Sequence, residues 1–296
     1  MTGTLGPFAL DTVTAGDCRK LVLDLPDDSI DVVVTSPPYW GQRTSEGNGV
    51  EADPRAYLAE LTEIFAALLP KLKPGGIAWI NIGDAYNTPV NWRLDDSSYS
   101  TLGPARSGLQ PENSAYTKPR HRRRAFTDDA APWLRYGNLL GLPQRLMLAL
   151  ADAGWLLRGE VIWRKLNPMP EGRCRRPHRQ HEVIYLLARS ERHAFRTAPP
   201  VGSVWEFGNE RVDGLPHFSR FPEQLPLRCV QAYGTAGPEV VVLDPFAGSG
   251  TTGVAAIGAG CSFVGFEIDP GQVAAANDRL RVAARSRTEV SGRTDG

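Results

Sequence analysis

The chain has 296 residues, 42% of them hydrophobic, which is enough for one large α/β domain or a domain carrying an inserted lobe. No apolar run approaches the ~20 residues of a membrane span, and the opening "MTGTLGPFALDTV" lacks a charged-then-apolar leader, so a soluble cytoplasmic protein is expected. Formal net charge is zero but unevenly spread: residues 90–190 hold 17 Lys/Arg against 9 Asp/Glu, so the middle of the chain is the part suited to a polyanion.

In chain order, "LDTVTAGD" reads as a short strand ending at Gly16-Asp17, followed by a short helix from Cys18 to Leu25. "DSIDVVVTS" is apolar enough for a strand buried on both faces. It runs straight into the rigid knuckle "TSPPYW", Thr35 to Trp40. "PRAYLAELTEIFAALLPKLKPGG" places Leu58, Leu61, Phe65, Leu68, Leu69 and Leu72 at helical spacing, with Pro74-Gly75-Gly76 as the expected stop. "IAWINIGDAY" is the next strand.

From Asn87 to about Tyr136 runs a polar, Pro-, Ser- and Arg-rich segment without sustained periodicity, far longer than an ordinary connection. It contains "KPRHRRR", with Lys118, Arg120, Arg122, Arg123 and Arg124, and its aromatics Trp92, Tyr99, Tyr116 and Trp133 suit a small core of its own. "LPQRLMLALADAG" then predicts a helix closed by Gly154. "WLLRGEVIW" and "HEVIYLLA" predict two strands of opposite direction that finish one edge of a sheet, joined by a basic link carrying Arg173, Arg175, Arg176 and Arg179. "VVVLDPF" is a strand, "GSGTTGVAAIGAG" turns into a helix, "SFVGFEID" is a strand, and "PGQVAAANDRLRVAARS" is a last helix, with order expected to end near Arg287.

Strands alternating with helices predict an open, mostly parallel sheet with helices on both faces, in which ligands bind at the carboxyl ends of the strands. Asp17, Ser36, Asp84, Asp244 and Glu267 all fall at such ends. The cysteines Cys18, Cys174, Cys229 and Cys261 form no CxxC pair and read as reduced structural thiols. Cys174, His178 and His181 lie close in sequence but lack a fourth ligand and the usual spacing, so no metal is expected.

"LDPFAGSGTTG" sets Gly248, Gly250 and Gly253 in GxGxxG spacing between a strand and a helix, where glycines admit a tight turn and the helix N-terminus adds a partial positive end. Glu267, 19 residues after Gly248, closes the next strand and is placed to accept from ribose hydroxyls. The pair reads as a site for a nucleoside-containing cofactor, and by itself does not choose between a nicotinamide dinucleotide and S-adenosylmethionine. No GK[ST] closes the loop, which argues against a nucleoside triphosphate.

"TSPPYW" together with "DPFAGSGTT" resembles the amino-directed DNA methyltransferases, which modify exocyclic nitrogens of cytosine or adenine with S-adenosylmethionine. The SPPY element precedes the glycine loop, as in the circularly permuted beta group of that family. "AGDC", "WRKLNPMP" and "HFSRFPEQL" resemble further elements of it, with Ser219 standing where Ala is common. The resemblance implies a permuted Rossmann-like methyltransferase sheet: residues 1–86 and 137–286 form the two halves of the catalytic domain, 87–136 a target-recognition and DNA-contact insert, and 287–296 a disordered tail.

The resemblance assigns Ser36, Pro37, Pro38 and Tyr39 to catalysis, with the target base flipped from the duplex onto Tyr39. It assigns Asp244, Phe246, Gly248 and Gly250 to the methionine part of S-adenosylmethionine, Glu267 to the ribose and Asp17 to the adenine. "KPRHRRR" is expected on phosphates. In that family Ser at the first position of the SPPY element tends to accompany cytosine, so the resemblance implies the cytosine N4 amine, with adenine N6 as the alternative. The resemblance implies double-stranded DNA as the partner, and an enzyme that acts either with a companion restriction endonuclease or alone. A Rossmann oxidoreductase would leave "TSPPYW" and the Arg-rich insert unexplained, and intact catalytic elements argue against a chain that only binds DNA.

Overall fold

A computed structural model describes residues 3–41, 49, 51–88, 90–91, 122–123, 126–168, 175–196, 199–208 and 221–294. An antiparallel hairpin, β1 (Thr4–Leu5) and β2 (Phe8–Ala9), leads to β3 (Thr12–Ala15), α1 (Cys18–Leu21), β4 (Ile30–Thr35), α2 (Pro54–Leu68) and β5 (Leu72–Ile82). A two-strand ribbon pairs β6 (Val90–Asn91) with β7 (Arg122–Arg123), within the segment expected to be an insert. Then come α3 (Leu142–Asp152), β8 (Leu156–Lys165), β9 (His181–Ala188), β10 (Val204–Phe207), α4 (Gln224–Tyr233), β11 (Val241–Asp244), α5 (Thr251–Gly258), β12 (Ser262–Glu267) and α6 (Pro270–Thr294).

Eight strands form one sheet in the order β10-β8-β9-β5-β4-β11-β12-β3. From β5 to β3 every neighbour is parallel, while β9 runs antiparallel to both β5 and β8. The last two strands in sequence, β11 and β12, therefore sit between β3 and β4.

Residues of β4 alternate between two hydrophobic layers, Ile30 and Val33 on one side and Val32 and Val34 on the other. The first layer packs under α2 and α3 through Leu61, Phe65, Leu146 and Leu150, the second under α4, α5 and α6 through Leu225, Cys229, Ile257 and Leu280. Each fully buried Val or Leu contributes about 1.5–3 kcal/mol relative to exposure, and burial on both faces explains why β4 reads as a continuous apolar run. α2 starts where Asp53 accepts from the Arg55 N–H and Pro54 occupies the first turn.

The structure departs from the sequence expectations at three places. Pro74-Gly75-Gly76 does not stop α2, which ends at Leu68; the motif lies inside β5, where the pairing with β4 skips from Leu72 opposite Ile30 to Ile77 opposite Val32. The glycines mark a bulge and not a terminus. β8 and β9 do pair antiparallel, but the sheet's edge is β10, which lies outside β8 with Trp205 and Phe207 buried and Val204 and Glu206 exposed. The last helix continues to Thr294, past Arg287, because residues 285–290 contain no Gly or Pro to break it.

Where the insert leaves and rejoins the sheet, its ends are fastened together. Asn87, fully buried, donates from Nδ2 to the carbonyls of Phe126 and Leu134 (2.6 Å for the latter) and accepts from the Phe126 N–H at 3.0 Å. Asp84 accepts from the N–H groups of Gly141 and Leu142, both at 3.0 Å, and so caps α3 from 57 residues away. No helix among the described residues is long and apolar enough to cross a membrane.

Replacing Asn87 by Ala strands these buried partners, each at a cost of about 1–3 kcal/mol. The Asn87→Ala protein is expected to unfold at a clearly lower urea midpoint with an unchanged m-value; a wild-type midpoint would contradict the clamp.

Candidate active site

The five parallel strands of the sheet end at one rim, which gathers Gly16-Asp17 after β3, Ser36 after β4, Gly83-Asp84 after β5, Asp244 closing β11 and Glu267 closing β12. The rim holds two groups of residues, a knuckle after β4 and a loop after β11.

The knuckle is braced from below. Tyr57 donates its hydroxyl to the Pro38 carbonyl at 3.0 Å, and the Trp40 indole donates to the Glu51 carbonyl at 2.8 Å. Among the described residues no donor reaches the Pro37 carbonyl. The Tyr39 ring lies on the backbone of Gly83, so closely that a Cβ there would sit 2.4 Å from the ring; any other residue would displace it. The Tyr39 hydroxyl is 2.8 Å from Glu182 Oε2 and 3.0 Å from Asn81 Oδ1, and Ser36 Oγ is 3.5 Å from the same Asn81 oxygen.

Burial, then the neighbouring Glu182 charge, pushes the Tyr39 phenol well above its usual range, so it remains a donor. For Glu182 itself burial pushes upward, but the adjacent Lys165 ammonium and the Tyr39 and Asn81 donors outweigh it, leaving the carboxyl below its usual value and ionised. Lys165 pairs with Glu182 Oε1 and lies 4.7 Å from the Trp163 ring centroid. This places Lys165 of "WRKLNPMP" beside Tyr39 of "TSPPYW" through their shared contact with Glu182.

The glycine loop is held by carboxylates. Gly248 and Gly250 take φ of +51° and +78°, conformations that favour glycine. Glu267, 3% exposed, accepts from the Gly248 N–H at 2.9 Å with one oxygen and the Asp269 N–H at 3.0 Å with the other, so its lone pairs are only partly used. The Asp244 carboxylate is 1% exposed and committed to the Thr35 hydroxyl (2.6 Å), the Thr252 hydroxyl (2.7 Å) and the Phe246 N–H (3.0 Å). It ties the end of β4 to the start of α5, and the Phe246 ring is half-buried beside it. Asp17 caps α1 through the Arg19 N–H at 3.0 Å and binds the Arg19 guanidinium, whose hydrogen bonds hold its carboxyl below the ordinary value. The left-handed turn and the partly free Glu267 oxygens suit a nucleoside-bearing cofactor.

Of the predicted DNA contacts, Lys118, Arg120 and Arg124 lie outside the described residues, and Arg122 and Arg123 form the backbone of β7 opposite Asn91 and Val90. In the second basic stretch Arg173 is likewise outside, whereas the Arg176 and Arg179 guanidiniums lie 4.0 Å and 5.5 Å from the Tyr86 ring centroid. Arg179 also donates to the Asp84 carbonyl at 2.6 Å, so this pair stands just beyond the end of β5. Trp133, from the insert, stacks with the Arg145 guanidinium at 3.8 Å.

Asn81 and Glu182 escaped the sequence reading. Each is a polar residue in an otherwise apolar strand, "IAWINIG" and "HEVIYLLA", and that interruption was the available signal.

Comparison with known proteins gives the family. The DNA methylase model of the N6/N4 type matches residues 30–278. The type II methyltransferase M.XycI of Xanthomonas campestris pv. cyanopsidis is 34% identical over 286 residues, covering 91% of this chain and 87% of that protein. M.SmaI of Serratia marcescens is 32% identical over 286 residues, covering 90% of each. Among solved structures, the cytosine-N4-specific PvuII DNA methyltransferase superposes with a TM-score of 0.64 at 19% identity, over 97% of this chain and 96% of that one. M1.HpyAVI in its complex with S-adenosylmethionine gives 0.56 at 18%, over 91% and 98%. The family model and these relatives define the class, a DNA methyltransferase. The chain belongs to the N6/N4 DNA methylase family of S-adenosylmethionine-dependent enzymes.

Burial raises the Asp244 carboxyl from 3.8 to about 6. The folded state therefore holds a proton that the unfolded chain releases near 3.8, so stability falls as pH rises between these values, by about 3 kcal/mol in all. Asp244→Asn, which cannot ionise, is expected to flatten this part of the profile when urea midpoints are compared between about pH 4 and pH 7; an unchanged slope would assign it to other groups.

Proposed function

We propose that the protein is a site-specific DNA methyltransferase that modifies the exocyclic N4 amine of cytosine in duplex DNA. The observation that carries the reading is Ser36, a neutral hydroxyl at the first position of the SPPY element, set just after β4 and backed by the neutral Asn81 amide. The cytosine-N4 specificity of the PvuII enzyme, whose fold this chain shares, supports the same base.

When bound, S-adenosylmethionine supplies a methyl group on a positively charged sulfur. The difficulty lies with the amine, whose lone pair is delocalised into the ring. Ser36 Oγ and the Pro37 carbonyl accept its two N–H groups and draw the nitrogen towards tetrahedral geometry, the prolines holding that carbonyl in place. The bound cofactor would supply the carbon of the new N–C bond, its sulfur keeping the electron pair of the bond that breaks, while the amine proton directed at Ser36 Oγ would pass on to solvent water. Pro38 acts through the Tyr57 hydrogen bond that fixes the knuckle.

A base inside a duplex cannot reach this site and is flipped into it. Stacking on Tyr39, worth ~1–3 kcal/mol, offsets part of the few kcal/mol of unstacking. Gly248, Gly250, Phe246 and Glu267 form the cofactor site, with Glu267 accepting from the ribose and Asp17 near the adenine. Asp244 serves the same site by holding the loop, since its oxygens are already taken. Residues 87–136, with Lys118, Arg120, Arg122, Arg123 and Arg124, contact DNA and house target recognition, and their phosphate contacts supply affinity without sequence choice. The designation of the relatives as type II methyltransferases supports pairing with a restriction endonuclease, in the cytoplasm where the DNA lies.

Ser36→Ala and Tyr39→Ala are expected to cut methyl transfer to a DNA substrate by about a hundredfold or more while leaving S-adenosylhomocysteine binding near wild type by calorimetry; wild-type transfer in both would sink the role of the knuckle. Expression in a methylation-free host, followed by sequencing that detects modified bases, is expected to report N4-methylcytosine in one sequence context. Methylated adenine would overturn the choice of base.

A further inference from the structure

The hydrogen-bond chain behind Ser36 has a direction. Asn81 Nδ2 is 3.1 Å from Glu182 Oε2 and 3.3 Å from the Val183 carbonyl, both of which only accept. Turning the amide over would set its oxygen against a carboxylate and a carbonyl, so Oδ1 must face the other way, towards Ser36 Oγ and the Tyr39 hydroxyl. An oxygen there can only receive. The Ser36 proton is thereby drawn inward, and the lone pairs of Ser36 are left facing the cleft.

We propose that Glu182 is a positioning residue for methyl transfer: through Asn81 it holds Ser36 as a hydrogen-bond acceptor for the amino group of the target base, and through the Tyr39 hydroxyl it holds the ring that receives that base. The inference rests on the reading of Ser36 and Tyr39 given above. Glu182 does not touch the base; it sets the polarity of the groups that do. Lys165 keeps the Glu182 charge in place, and a neutral group at 182 able to donate would let the Asn81 amide turn and offer Ser36 a donor. Ser36 would then direct its own proton at the base, where a second donor repels the amine it should receive.

The roles of the surrounding elements follow from this direction. β9 contributes Glu182, its neighbour β5 contributes Asn81, and β8 on the other side brings Lys165. The antiparallel edge of the sheet is thus part of the catalytic apparatus and not only a lateral extension of the core.

The test is Glu182→Gln in the full-length protein, assayed on DNA carrying the recognised sequence. kcat is expected to fall about a hundredfold with KM for DNA and affinity for S-adenosylhomocysteine nearly unchanged. In a Ser36→Ala background the same substitution should add little, less than about threefold, because the group it acts through is gone. Full multiplication of the two losses, or wild-type kcat in Glu182→Gln when Ser36→Ala is impaired, would overturn this inference alone. Wild-type transfer in Ser36→Ala would overturn the functional reading and this inference with it. Because Glu182→Gln leaves Lys165 without its partner, Lys165→Met with Glu182→Gln serves as the control; the double variant should remain as slow as Glu182→Gln, and recovery of wild-type kcat would trace the loss to the orphaned ammonium and refute the proposal.

Discussion

The catalytic rim depends on one buried carboxylate. An ionised group taken out of water is several kcal/mol unfavourable unless a counter-charge and hydrogen-bond donors surround it. Glu182 meets that requirement with Lys165, the Asn81 amide and the Tyr39 hydroxyl. These four residues come from β9, β8, β5 and the knuckle after β4, so satisfying the charge fixes how four segments sit against one another. Sheet register does the rest: Trp163 lies opposite Glu182 and Ile82 opposite Val183, which leaves little freedom for Lys165 and Asn81 to be elsewhere.

A second buried carboxylate plays a comparable part at the middle of the sheet. Asp244 joins Thr35, at the end of one central strand, to Thr252 in the helix after its neighbour. The knuckle and the glycine loop are therefore coupled through a single residue, which is the arrangement that an in-line transfer between the base and cofactor sites proposed for them requires. The cost of burying this charge is carried at neutral pH, in keeping with the strain that functional sites store.

Much of this was legible in the sequence because it follows from local rules. β4, α2, α3 and the strand-loop-helix of residues 241–258 announced themselves through apolar runs, helical spacing and glycines, and the carboxyl-end rim followed from strand-helix alternation. The misread parts lacked a local signature. Pro74-Gly75-Gly76 has the composition of a helix stop and became a bulge because β4 pairs alongside it, a fact that only tertiary contact supplies. β10, four residues long, was hidden by its length in a polar stretch. Asn81 and Glu182 stood in plain view, but their meaning lies in their being neighbours across a strand pairing more than a hundred residues apart in the chain. Spacing in sequence shows nothing of such proximity.

The fastening at the base of the insert has an implication for how enzymes of this kind diversify. With Asn87 and Asp84 drawing the two ends together, the entropy of closing the intervening chain is absorbed locally and rises only slowly with its length. A segment anchored in this way can be lengthened, shortened or exchanged for one of different sequence while the sheet behind it stays as it is. On the proposed assignment of residues 87–136 to target recognition, the reading of new DNA sites would then be acquired by grafting, with the chemistry inherited whole.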